Sequence, residues 1–122
     1  MMVLVDTSVW IDHLRCKESQ LVNLLQKNQV LGHPFVRGEL ALGSLPQRQN
    51  ILGWLDNLPQ ASVAFADEIN PFIETHSLFG LGIGLVDVHV LASTHLTVNA
   101  KLWTRDKRLL AVATRLNVAY TP

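Results

Sequence analysis

Short apolar runs alternate along this chain with longer stretches in which apolar residues return every three or four positions. That is the pattern of strands and helices winding around a parallel sheet. Val3–Val5 predicts a first strand, followed by a short helix from Ser8 to Leu14 capped by Thr7 or Ser8. Leu21, Leu24 and Leu25 share the apolar face of a second helix, and Gln29–Leu31 is a candidate short strand. Pro34 suits the first turn of a helix reaching about Leu42, because the N–H that proline lacks has no partner there. By the same logic Pro46 opens a helix through Ile51, Trp54 and Leu55. Ser62–Phe65 reads as a strand, and Asp67 as the cap of a helix to about Leu78, with Pro71 in or near its first turn. The segment GLGIG, residues 80 to 84, breaks the pattern ahead of a helix from about Leu85 to Leu96. Lys101–Thr104 predicts a strand, Lys107 to Arg115 a helix, and Val118–Tyr120 a last strand. The class is α/β. With no internal repeat, low-complexity segment or linker, residues 1–122 are expected to form a single domain.

Four acidic residues stand where this pattern breaks. Asp6 ends the first strand, and Asp106, in LWTRD, lies just beyond a later one. Ligands of open α/β sheets bind outside the carboxyl ends of strands, where the connections diverge, so these two acids can meet. Each alone has a plainer explanation, Asp6 as a helix cap and Asp106 as a polar turn residue. Glu39, in PFVRGELALG, is set among apolar residues that should face the core, where an ionised carboxylate needs a cation or hydrogen bonds. A pair with Arg37 or another arginine is the structural alternative. Asp87, in GIGLVDVHVLAS, falls in the first turn of a helix, whose dipole can account for it. The combination says more than any member: clustered carboxylates are hard oxygen donors suited to Mg²⁺, which usually keeps several waters. Two of them about 5 Å apart would repel by roughly 3 kcal/mol at an effective dielectric near 20. Without metal such a cluster should raise some of its own pKa values and weaken the fold.

Composition narrows the choice. Charged residues make up 16% of the chain and apolar ones 48%, against roughly 25% charged in an average domain, so surface is available for partners. Cys16 stands alone, which excludes an internal disulfide and a cysteine-based metal cluster. No run approaches the roughly 18 apolar residues of a membrane helix, and Asp6 comes too early for a signal-peptide core; the expected location is the cytoplasm. A net charge of zero argues against coating nucleic acid through bulk positive charge. If four acids converge, however, ten basic residues face six other acids over the remaining surface. The bias is strongest where Lys101, Arg105, Lys107, Arg108 and Arg115 surround Asp106. A basic rim around an acidic pit is the expected arrangement.

Taken together, VLVDTSVWIDHL, Glu39 in VRGELALG, GIGLVDVHVLAS and LWTRDKRL resemble the PIN domain, in particular the VapC-type ribonuclease toxins of bacterial toxin–antitoxin pairs. The motifs occur in family order across nearly the whole chain. The resemblance implies a three-layer α/β/α sandwich with a short parallel sheet, Mg²⁺- or Mn²⁺-dependent endoribonuclease activity, a homodimer, and neutralisation by a small antitoxin protein. Carried over by motif, the catalytic and metal-binding acids would be Asp6, Glu39, Asp87 and Asp106, supported by the hydroxyls of Thr7, Ser8 and Thr104. The implied reaction is hydrolysis of an RNA phosphodiester, leaving a 5′-phosphate and a 3′-hydroxyl. Lys101, Arg105, Lys107 and Arg108 are candidate contacts to RNA phosphates, which position a substrate without reading its sequence; a solvated helix face is the alternative. His89 falls outside the acidic set and reads as an ordinary helix histidine or a substrate contact. GLGIG lacks the spacing of a dinucleotide loop and reads as a flexible backbone turn. Trp10, Trp54, Trp103 and Phe79 are expected in the core or at an interface.

Two rival readings remain at this level. An aspartate-nucleophile phosphatase would attack through Asp6, but its second Asp, two positions on, is replaced here by Ser8. A non-catalytic PIN-like interaction module would keep the fold and use the carboxylates only as caps.

Overall fold

Val3, Leu4 and Val5 point alternately to the two faces of a sheet, yet all three are fully buried. Both faces of this strand are therefore covered. In the computed structural model, which describes residues 1–122, they belong to β1, Met2–Val5. The chain continues through α1 (Thr7–Arg15), α2 (Ser19–Gln26), β2 (Val30–Leu31), α3 (Pro34–Leu42), α4 (Arg48–Asp56), α5 (Ala66–His76), α6 (Leu85–Leu96), β3 (Ala100–Trp103) and α7 (Lys107–Arg115). The sheet order is β2-β1-β3, and both pairings are parallel. The chain leaves β1 toward β2 on one side and later returns past β1 to β3 on the other. Right-handed crossovers in opposite directions lay their helices on opposite faces, which gives the α/β/α sandwich. One cluster of 29 buried apolar residues fills it, from Val3 through Leu91 and Leu102 to Leu109. Burial stabilises each such Val or Leu by about 1.5–3 kcal/mol.

Helices α3, α6 and α7 have the predicted ends. Elsewhere the structure corrects the reading. Ser62–Phe65 is not a strand: pairing is limited to a bridge between Gly32 and Gln60. Ala61 and Ala64 are buried while Val63 and Phe65 are exposed, so the spacing of buried residues does not alternate. The backbone N–H of Ser62 donates to the Thr97 side chain instead of to a ladder. Val118–Tyr120 is reduced to a bridge from Ala119 to Leu102. Pro46 lies in the turn ahead of α4, whose N-cap is Gln47 in the left-handed conformation at φ 50°. Phe65, not Asp67, caps α5, where the Glu68 carboxylate accepts from the Phe65 N–H, and Pro71 falls in the second turn. Trp10 and Trp103 are core residues, whereas Trp54 and Phe79 are exposed.

Candidate active site at the carboxyl end of the sheet

The Asp6 N–H, one residue past β1, donates to the carbonyl of Trp103, the last residue of β3, at 2.9 Å, and the Thr104 hydroxyl that follows donates to Asp6. Asp6 is the N-cap residue of α1, in place of the expected Thr7 or Ser8, yet its side chain makes no capping bond. The carboxylate is 6% exposed, and its Oδ2 accepts from Ser8 Oγ at 2.7 Å and Thr104 Oγ1 at 2.8 Å. Both hydroxyls also accept from the backbone that follows β3: Ser8 Oγ from the Arg105 N–H at 3.0 Å, Thr104 Oγ1 from the Asp106 N–H at 3.1 Å. Asp6 is thereby tied to the segment that carries Asp106. Asp106 caps α7, its Oδ1 accepting from the N–H groups of Arg108 and Leu109.

Glu39 is exposed on α3 rather than turned toward the core, because Val36 and Leu40 take the buried face. Its Oε1 accepts from Thr7 Oγ1 at 2.6 Å. Arg37, the partner considered for it, pairs with Asp56 at 3.0 Å. Asp87 lies in the first turn of α6, where its Oδ2 accepts from the Gly84 N–H at 3.1 Å. Burial raises the Asp87 pKa; the Gly84 N–H opposes the shift, while the charges of Asp6, Asp106 and Glu39 reinforce it. All four acids thus share one electrostatic neighbourhood.

A common design runs through the four. Each carboxylate engages one oxygen in protein hydrogen bonds and leaves the other without a protein donor. None pairs with a cation; the ion pairs join Arg37 to Asp56, and Arg105 to Asp12 and Glu18. No three of the chain's His, Cys, Asp and Glu side chains close on one point as a protein-only metal cage. The donor set nevertheless fits a hard divalent cation that keeps waters of its own, since every donor is an oxygen and the shared negative charge has no counter-ion. A cation that keeps its own waters needs carboxylates within reach of its hydration shell, not a closed cage of protein donors.

The basic residues separate into different environments. Arg105 is held by Asp12 and Glu18 and stacks over Trp103 at 5.8 Å from the ring centroid. Lys101 Nζ donates to the Asn117 carbonyl at 2.8 Å. The exposed Lys107 begins α7, and Arg108 reaches back to the loop before α6. His33, which sequence reasoning overlooked, is 2% exposed; its Nδ1 accepts from the Phe35 N–H and its Nε2 meets Ser93 Oγ at 2.9 Å. Its place before Pro34, a favoured first helical residue, was the available signal. His89 packs against Phe35 with ring centroids 4.6 Å apart, and its Nδ1 is buried without a hydrogen-bond partner.

No protein-family model matches the chain. Over 118 residues it is 48% identical to Ribonuclease VapC32 of Mycobacterium tuberculosis strain CDC 1551 / Oshkosh, covering 97% of this chain and 95% of the relative. The same identity and coverage hold for Ribonuclease VapC32 of strain ATCC 25618 / H37Rv.

Proposed function

The chain belongs to the VapC-type ribonuclease toxins of the PIN domain family, and from that premise we propose that it is the endoribonuclease toxin of a toxin–antitoxin pair. Its substrate is RNA, and the bond it hydrolyses is a phosphodiester. The observation that carries the reading is the set of four carboxylates around the end of β1, each anchored through one oxygen and free at the other.

Asp6, Asp87, Asp106 and Glu39 are the residues that would hold Mg²⁺ or Mn²⁺, with Glu39 either direct or through water. A bound ion supplies Lewis acidity toward water and the phosphate. The protein supplies position. Ser8 and Thr104 hold Asp6 in one orientation, Thr7 fixes Glu39, and the first turns of α6 and α7 fix Asp87 and Asp106. Water adds to phosphorus, the P–O3′ bond breaks and the leaving oxygen takes up a proton, giving a 5′-phosphate and a 3′-hydroxyl.

A small antitoxin and a second copy of the chain are the proposed partners. No helix is long and apolar enough to cross a membrane, and the reading places the chain in the cytoplasm with its RNA. The competing reading is a non-catalytic module in which the carboxylates serve only as helix caps, as Asp106 does for α7. Incubating antitoxin-free protein with total RNA and Mn²⁺, with a chelator as control, separates the two. Discrete metal-dependent cuts are expected; intact RNA in both arms supports the module.

A further inference from the structure

Gly82 has φ +75°, and a Cβ built on it would come within 2.5 Å of Nη1 of Arg108 and 2.9 Å of its Cδ. The guanidinium of Arg108 therefore rests directly on the backbone of the 80–84 loop. Two residues further along that loop, the Gly84 N–H holds the carboxylate of Asp87. At its other end Arg108 is tied to a second acid, since its own N–H donates to Asp106 Oδ1 at 2.9 Å. The side chain thus spans from the Asp106 end of α7 to the loop that positions Asp87. It forms no ion pair with either acid.

The other cations of this segment are placed differently. Arg105 is neutralised by Asp12 and Glu18, and Lys101 is turned to the Asn117 carbonyl. Lys107 is exposed but has no comparable seat. A guanidinium without an acidic partner, seated on the backbone of the loop that leads to Asp87, offers a planar fork to an oxyanion. The carboxylates themselves repel a phosphate unless their charge is offset.

We propose that Arg108, seated on Gly82, is the side chain that holds an RNA phosphate next to the acidic site, and that Gly82 is glycine to leave room for it. The inference rests on the ribonuclease reading and adds to it one substrate-binding residue and one positioning residue. Gly82→Ala pushes the guanidinium off its seat while keeping its charge. Gly80 supplies the control, because it has a similar φ of +71° and nothing within 4 Å of a built Cβ. Gly80→Ala carries the same kind of backbone strain without touching Arg108.

The experiment has two arms, run on folded variants of matched melting temperature. The first measures Mn²⁺-dependent cleavage of a mixed-sequence single-stranded RNA by the parent, Arg108→Ala, Gly82→Ala and Gly80→Ala. The second measures binding of the same RNA against salt in the Asp6→Asn background. Arg108→Ala and Gly82→Ala should raise KM by about three- to tenfold with kcat little changed, as loss of uniform binding requires. Gly80→Ala should match the parent. The slope of log affinity against log salt should fall by about 0.7 when Arg108 is removed. Unchanged KM and slope in Arg108→Ala, with the parent cutting RNA, overturn the inference and leave the ribonuclease reading standing. A parent that does not cut overturns the activity, and the binding arm still decides whether Arg108 touches RNA. If Gly80→Ala raises KM as much as Gly82→Ala, the seat is rejected and loop strain explains both.

Discussion

Asp6 occupies a capping position without capping, because its Oδ2 is taken by two hydroxyls, from Ser8 and Thr104. Its other oxygen has no protein donor. Replacing Asp6 with Asn keeps an acceptor for Ser8 or Thr104 and removes one charge from a crowded set, so the fold should persist. RNA cleavage should fall by at least about a hundredfold if Asp6 binds the ion directly. Rates measured beside circular dichroism check this; cleavage at the parent rate would falsify the role given to Asp6. Thr104→Val is the subtler change. It deprives Asp6 of one donor and leaves the Asp106 N–H without its acceptor, which should cost about 1–3 kcal/mol of stability. Thr104→Ser, which keeps the hydroxyl, should recover most of the activity lost in Thr104→Val.

Helices whose end signals lie within a few residues were legible in the sequence. Pro34 opens α3, the glycines before Leu85 precede α6, and Lys107 begins α7, although Asp106, a polar turn residue by its sequence context, proves to be its cap. Ser62–Phe65 misled because a strand exists only through its partner, and no neighbouring strand lies alongside it. Glu39 misled for a related reason: apolar neighbours in sequence did not tell which face of α3 would be exposed. The links from Arg105 to Asp12 and Glu18, and from Arg108 to Gly82, join residues distant in the chain and leave no local mark. His33 shows how such hidden contacts govern an element. Burial, assisted by the nearby His89, lowers its pKa from 6.5 to about 4, and its Nδ1 must stay unprotonated to accept the Phe35 N–H that starts α3. Above pH 6.5 the ring is neutral in both folded and unfolded chains and carries no penalty. Between 6.5 and about 4 the unfolded chain takes up a proton that the native ring refuses, so stability falls. His13 and His76 are lowered in the same direction, chiefly by burial. His33→Asn retains a capping oxygen and should lose this share of the acid sensitivity. Urea midpoints for parent and variant should converge as pH drops from 7 to 4.5; parallel curves would contradict the assignment.

Across the whole molecule, ten acids and ten bases sum to zero, but the acids around Asp87 lack cationic partners while Arg105 spends its charge on Asp12 and Glu18. Net neutrality therefore conceals a local excess of negative charge that the metal-free fold must tolerate. A divalent ion that binds only the native site should stabilise by linkage, about 2.7 kcal/mol at a hundred times its dissociation constant. For a chain of this size that corresponds to a rise in Tm on the order of 10 °C. Asp87→Asn gives the converse. Its amide oxygen can still accept the Gly84 N–H, while the charge that Asp6, Asp106 and Glu39 disfavour is gone. The variant should melt higher than the parent without metal and gain less when Mn²⁺ is added. These opposite signs separate a metal site from a mere cluster of helix caps, because removing only a stabilising negative charge from a helix N-terminus lowers stability under both conditions. A parent indifferent to millimolar Mn²⁺, together with a destabilised Asp87→Asn, would assign the carboxylates to the fold alone.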